Sequence, residues 1–287
     1  MSTELSPLQI TLDGKSLQVV RGSNDDFWLE CSKGQWEPDT LSAFKRFIDK
    51  QHSYIDIGAW IGPTVMVGCQ LARCAYVIEP DPVAYKELAE NLRLNGAQTS
   101  NVRVFSLCIT PTAGQYSFGS RAEGGDSRSS LLFAGSKTTW TVEGIPFADF
   151  VSQNGIADCN FIKMDIEGGE YSVIPTMLDF LRQYRPTLHL SVHPICLGDL
   201  EAKSMPGRLR RSWFRLAQTT QLLHHLRFYR HRYDCLGKYP KTLLTTPRSY
   251  VHHFLASLNC RPVTWLLACR QAIAGQTITL LLTDQKW

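Results

Sequence analysis

The chain has 287 residues, 44% of them apolar and 20% charged, with a formal net charge of +4. These are ordinary values for a globular protein and exclude a disordered chain, a collagen-like repeat and a coiled coil. The length suits one large domain or two small ones, either able to bury a substantial core.

No run of about 18 uncharged apolar residues occurs, which argues against a membrane-spanning helix. The opening MSTELSPLQI lacks the basic start and apolar stretch of a secretory signal, so a cytoplasmic protein is expected. Nine cysteines (31, 69, 74, 108, 159, 196, 235, 260 and 269) include no CxxC pair and read as reduced thiols. Charge is uneven. Residues 201–250 hold 11 Lys or Arg against Glu201 and Asp234, a balance of +9 that leaves −5 for the rest.

In chain order, residues 1–35 alternate weakly and predict a short strand pair, with a helix near Thr40–Lys50. From Tyr54 the pattern becomes strand, glycine turn, helix, repeated. YIDIG is a strand, and the helix from Pro63 to about Arg73 opens on a proline suited to a first turn. AYVIEP is a second strand. Asp81 caps the helix that Pro82 opens and Gly96 closes. VRVFSLCI reads as a third strand, FIKMD as a fourth followed by a helix over 171–184, and LHLSVHP as a fifth. TITLLLTDQ ends the chain as a strand. This alternation predicts an α/β, doubly wound, mostly parallel sheet.

The most informative turn is Asp56-Ile57-Gly58-Ala59-Trp60-Ile61-Gly62, between a buried strand and a helix. Glycine there lets the backbone turn sharply and approach a ligand at the positive end of the helix. The spacing is not GxGxxG. An acid at the strand tip suits a ligand bearing an ammonium, such as the aminocarboxypropyl arm of S-adenosylmethionine, better than a pyrophosphate. Glu79 ends the second strand 23 residues later, near the offset at which an acid meets a ribose. Leu107, Cys108 and Ile109 stand where an adenine ring would lie.

The fourth strand ends in Asp165, Glu167, Gly168, Gly169 and Glu170, acids that belong at an open strand tip. Asp165 is the best placed; Glu167 and Glu170 either join it or cap the next helix. His189, Ser191 and His193 share one face of the fifth strand. His193, nearest the open edge, would be a neutral imidazole able to take a proton from an alcohol, whereas His189 suits the interior. Asp165 and His193 could hold a divalent cation. Two ligands on neighbouring tips are too few to make a site, so no metal is included among the expected residues.

The runs YIDIGAWIGPT, EPDPVAYKELAENLRLNG, GGDSRSSL and FIKMDIEGGEYSVIP resemble the FkbM family of S-adenosylmethionine-dependent methyltransferases, over roughly residues 50–195 plus the last dozen. The resemblance implies a class I methyltransferase sheet (Rossmann-like) with its last strand antiparallel, and methylation of hydroxyls on sugars or polyketide-like products. It implies cofactor contacts from Asp56, Gly58, Gly62 and Glu79. Trp60, inside the turn, and Cys108, after the third strand, are expected at the cofactor from their positions. Asp165 would lie beside both the methionine moiety and the acceptor. The serine-rich stretch (Asp126, Ser127, Ser129, Ser130) would lie by the acceptor. Apart from the resemblance, strand-tip position makes Asp165 and His193 the expected catalytic residues and sets Glu167 beside the acceptor.

On this basis residues 1–50 would cover the sheet edge and 51–287 form the catalytic domain, with 111–158 and a basic helical 200–274 as acceptor-side insertions. The basic segment reads as a solvated helical cover, as a means of attracting an anionic acceptor, or as peripheral contact with an anionic membrane. No nucleic-acid motif accompanies it. The expected activity is O-methylation of a sugar, glycan or related natural product. A polyketide-type or lipid-linked acceptor, a non-catalytic cofactor-binding module and a nicotinamide dehydrogenase are the alternatives. The missing third glycine argues against the last.

Overall fold

The computed structural model describes residues 6–120, 124–127, 129–201, 208–234, 272 and 276–287. The chain opens on a hairpin, β1 (Leu8–Leu12) and β2 (Lys15–Val19), with Leu8, Ile10, Leu12, Leu17 and Val19 buried at the spacing of two that a strand imposes. Asp13 and Gly14, both at positive φ, make its two-residue turn. Helices α1 (Asp25–Ser32) and α2 (Pro38–Phe47) follow.

Next come β3 (Ser53–Ile57), α3 (Pro63–Leu71), β4 (Cys74–Ile78), α4 (Pro82–Leu94) and β5 (Val102–Phe105). A smaller sheet is built from β6 (Cys108–Ile109), β7 (Gly114–Ser120) and β8 (Thr138–Ile145). The chain then returns through α5 (Phe147–Gln153), β9 (Cys159–Met164), α6 (Glu170–Tyr184), β10 (Thr187–Val192), α7 (Pro194–Glu201), α8 (Arg208–His225), β11 (His231–Asp234) and β12 (Ile278–Thr283).

The main sheet has the order β11-β12-β10-β9-β3-β4-β5. Its five strands from β5 to β10 are parallel, and β12 runs antiparallel to both neighbours. This is the expected class I methyltransferase arrangement, with the last strand antiparallel. Both faces are covered, so the strands are apolar on both sides. One core gathers Trp28, Phe44, Tyr54 and Phe161 beneath α1 to α4; the other gathers Phe150, Ile174, Leu181 and Leu226 beneath α5, α6 and α8. The chain leaves β3 toward β4 on one side and later resumes at β9 on the other. The tips of β3 and β9 therefore flank the switch point where open α/β sheets bind ligands.

Some elements differ from the sequence expectation, while the N-terminal hairpin is a two-stranded sheet of its own. Its backbone N–H groups at Gln18 and Val20 donate to the side-chain oxygens of Asn95 and Asn91 on α4, at 2.9 and 2.7 Å. VRVFSLCI is broken after Phe105, because Cys108 and Ile109 leave the main sheet to pair with Gly144 and Ile145. The helix opened by Pro82 is capped by Asp81, which accepts from Val83 and Ala84. Its C-cap is Asn95, and Gly96 follows directly after it. Of the basic helical segment 200–274, α8 is described, whereas 202–207 and almost all of 235–274 lie outside the described residues. Among the described residues, no helix is long and apolar enough to cross a membrane.

Candidate active site

The turn from β3 into α3 is shaped by backbone that side chains would obstruct. Gly58 has φ +85°, and a Cβ on it would stand 1.9 Å from the Asp165 carbonyl oxygen. Only glycine can pass there. Gly62, at φ +98°, caps α3, and a Cβ on it would meet Leu88 at 2.6 Å. Its role is to let α3 and α4 pack closely. Trp60 also takes a positive φ, 51°, and its N–H donates to Glu79 Oε2 at 2.7 Å. Its indole N–H donates to the Gly125 carbonyl at 2.7 Å, tying the turn to the serine-rich stretch.

Glu79 is buried, and its other oxygen accepts the Asp81 N–H at 2.8 Å. Burial raises its pKa to about 7, against the two backbone N–H groups, which favour the anion. Beside it lies an apolar crevice lined by Ile57, Gly58, Ile78, Pro80, Cys108 and Ile109. Burial, with the charge of Glu79, pushes the Cys108 thiol far up, so this cysteine is a small apolar wall, not a nucleophile.

Asp56 does not face that crevice. It is fully buried. One carboxylate oxygen accepts from the Tyr54 hydroxyl and from Thr64 Oγ1 (2.7 Å), while the other pairs with Lys163 Nζ at 3.3 Å. Direct contact with a cofactor ammonium, expected from its strand-tip position, is therefore replaced by a buried ion pair. Lys163 also donates to the Gly58 carbonyl at 3.2 Å. Burial opposes its charge, but Asp56, Asp165 and Glu37 outweigh burial and raise its pKa above the ordinary value. Sequence reasoning passed over Lys163. The signal was a lone lysine inside the apolar strand FIKM, which the parallel register sets directly beside Asp56.

The tips of β9 and β10 carry the second group of charges. Glu170, fully buried, accepts the Ile166 and Gly168 N–H groups at 3.0 and 2.9 Å and bonds His193 Nδ1 at 3.1 Å. It thus holds the turn and the imidazole at once. On the other side of the ring, Nε2 stands 3.6 Å from Asp165 Oδ1 and 3.6 Å from Glu167 Oε1.

Burial works against a charged ring, yet Glu170, Asp165 and Glu167 prevail and carry the His193 pKa to about 10. The neutral imidazole expected from sequence is thus an imidazolium at neutral pH, because three carboxylates surround it. Burial raises Glu167 to about 7, opposed by His193 and assisted by Asp165 and Glu170. His189 is interior as expected, its Nε2 against Thr40 Oγ1 at 3.2 Å, and burial lowers its pKa to about 4.

The serine-rich stretch folds over this edge as a set of struts. Ser129 Oγ donates to Asp81 Oδ2 at 2.8 Å, and the Gly125 N–H donates to the same oxygen at 3.0 Å. Ser130 is buried; its hydroxyl donates to the Glu167 carbonyl at 2.9 Å and accepts the Leu132 N–H at 3.2 Å. The hydroxyl expected at the acceptor instead fixes the Glu167 turn. Asp126 is half-buried and Ser127 exposed, so of this stretch Ser127 is the most open.

Residues 56–227 match the family profile of the methyltransferase FkbM domain. Among solved structures, the methyltransferase FkbM from Methylobacillus flagellatus KT is 19% identical over 58% of this chain and 41% of that one, with a TM-score of 0.36. This chain thus spans about two fifths of that protein's length. The precorrin-6y C5,15-methyltransferase from Geobacter metallireducens GS-15 is 14% identical over 69% and 71% of the two chains (TM-score 0.37). M. jannaschii TYW2, solved in complex with AdoMet, is 15% identical over 71% and 75% (TM-score 0.36). No protein of curated function matches the chain.

Proposed function

The chain belongs to the FkbM methyltransferase family, and we propose that it moves a methyl group from S-adenosylmethionine to a hydroxyl of a sugar, glycan or related natural product. One observation carries this reading. A single sheet edge at the switch point brings together a ligand-permissive glycine turn, a buried carboxylate beside an apolar crevice, and an acid–histidine cluster.

The residues present fit the cofactor. The walls at Ile57, Ile78, Cys108 and Ile109 suit a flat apolar ring, and Glu79 at its side is an acceptor for ribose hydroxyls. Gly58 leaves open the backbone approach that a Cβ would block. When bound, the cofactor supplies a methyl group activated by a positively charged sulfur.

The chain's own residues supply alignment and the exclusion of water. Asp56 acts at one remove: by pairing with Lys163 it fixes the ammonium that holds the Gly58 carbonyl. Asp165, the most open carboxylate of its cluster, accepts the hydrogen bond of the acceptor hydroxyl and orients it. Glu170 keeps His193 in place behind it.

A lipid-linked acceptor is the second reading. It is favoured by Trp213, 72% exposed on the basic helix α8, since an aromatic side chain among arginines suits an anionic membrane surface. The test of both readings is incubation of the purified protein with methyl-labelled S-adenosylmethionine and extracted glycans, lipid-linked glycans or metabolites. Mass spectrometry should show a gain of one methylene mass at a hydroxyl in one fraction. Label appearing only on nitrogen or carbon would refute the hydroxyl assignment.

A further inference from the structure

With Asp56 satisfied by Lys163, Tyr54 and Thr64, the ammonium of the cofactor's aminocarboxypropyl arm needs another partner. The parallel register sets His189, Lys163 and Asp56 side by side on β10, β9 and β3. Lys163 feels the charges of three acids, Asp56, Asp165 and Glu37, yet among the described residues only Asp56 stands within ion-pair distance of it. The row therefore carries more negative charge than positive, beside the Gly58 carbonyl that Lys163 holds. Asp165 is already shared with His193.

Glu37 is the acid left over. It is the N-cap of α2 and sits in the left-handed region at φ 36°, uncommon for a residue with a side chain. Two sets of contacts fix its place. Its Oε2 accepts from Thr40 Oγ1 at 2.9 Å, and that hydroxyl lies 3.2 Å from His189 Nε2, at the end of the row. One residue earlier, Trp36 packs edge-on against Phe27, and Phe27 against Trp60 of the glycine turn, with ring centres 5.5 and 4.7 Å apart. The segment before α2 is thereby pinned to both the sheet and the turn.

Glu37 is exposed, and among the described residues its Oε1 has no hydrogen bond. No Lys, Arg or His among them comes within ion-pair distance of it. Desolvation by the surrounding protein, then the charge of Asp165, raises its pKa, against Lys163 and the Thr40 hydroxyl. A bound cation would offset that repulsion.

We infer that Glu37 binds the ammonium of the cofactor's aminocarboxypropyl arm, an assignment that rests on the S-adenosylmethionine reading above. Glu37 precedes the residues that match the family, 56–227, so the N-terminal part of this chain completes the cofactor site.

The test is calorimetry of the full chain with S-adenosylhomocysteine, which carries the arm, and with methylthioadenosine, which lacks it. Glu37→Gln should weaken S-adenosylhomocysteine at least ~10-fold and leave methylthioadenosine unchanged, which also reports that the variant is folded. The deamino analogue of S-adenosylhomocysteine, with its carboxylate but no ammonium, should bind parent and variant alike. Glu30→Gln, at an exposed acid on α1, should bind both nucleosides as the parent does. Unchanged S-adenosylhomocysteine affinity in Glu37→Gln, or an equal loss for both nucleosides, overturns the assignment while leaving the methyltransferase reading intact. Failure of the parent to bind S-adenosylhomocysteine would instead refute that reading.

Discussion

The Asp56–Lys163 pair and the Asp165–Glu167–Glu170–His193 cluster sit on the same sheet edge, but their charges are balanced differently. In the first, one acid meets one base, and every remaining oxygen has a hydroxyl partner. In the second, three carboxylates share one imidazole, and Asp165 keeps a face to solvent. A buried pair that satisfies itself holds the turn in shape. An unbalanced cluster at an open tip has capacity left for something that binds. Position at a strand tip does not separate the two; the partners do.

Substitutions should separate these roles, and the largest loss of stability is expected in the first group. Lys163→Ala would strand a buried carboxylate and cost ~3–5 kcal/mol in denaturant unfolding, with much of it recovered when Asp56→Asn is added. A cost below ~1 kcal/mol would show that the pair does not support the turn.

Gly58→Ala should cost ~3 kcal/mol, from a left-handed backbone and a collision with the Asp165 carbonyl. It should also abolish S-adenosylhomocysteine binding in calorimetry.

Glu79 gives a pH signature. Its carboxyl holds a proton to about pH 7 in the folded chain but releases it near 4.5 when unfolded. Its contribution is therefore present below pH 4.5 and is lost as pH rises toward 7, by up to ~3 kcal/mol. Melting curves from pH 4.5 to 7.5 should show Glu79→Gln declining less steeply than the parent.

Ser129→Ala should cost ~1 kcal/mol, the price of one hydrogen bond to Asp81. Asp165→Asn should leave stability within ~0.5 kcal/mol while slowing methyl transfer ~100-fold. If it destabilised the chain as much as Lys163→Ala does, the contrast between the two groups would fail.

Much of the fold was legible because its strands are short apolar runs ending in an acid or a glycine, and Pro63 and Asp81–Pro82 mark helix starts. Helices α1 and α5 were not. Each has at most eight residues, too few turns for a period to stand out. The break between Phe105 and Cys108 depends on β8, more than thirty residues later, and no local pattern announces it.

In the site, Gly58, Glu79, Asp165 and His193 were recognisable from their places after strands. What those places do not reveal is pairing. The register of β3 against β9 gives Asp56 to Lys163, and the turn after β9 brings Glu170 beneath His193. The imidazole's charge follows from that convergence and could not be read from residue type.

The most direct measurement is calorimetry of the purified chain with S-adenosylhomocysteine and, separately, with NADH. The account predicts saturable one-to-one binding of the first, weakened by Glu79→Gln, and no heat from the second. Binding of NADH, or S-adenosylhomocysteine affinity unchanged by Glu79→Gln, would contradict it.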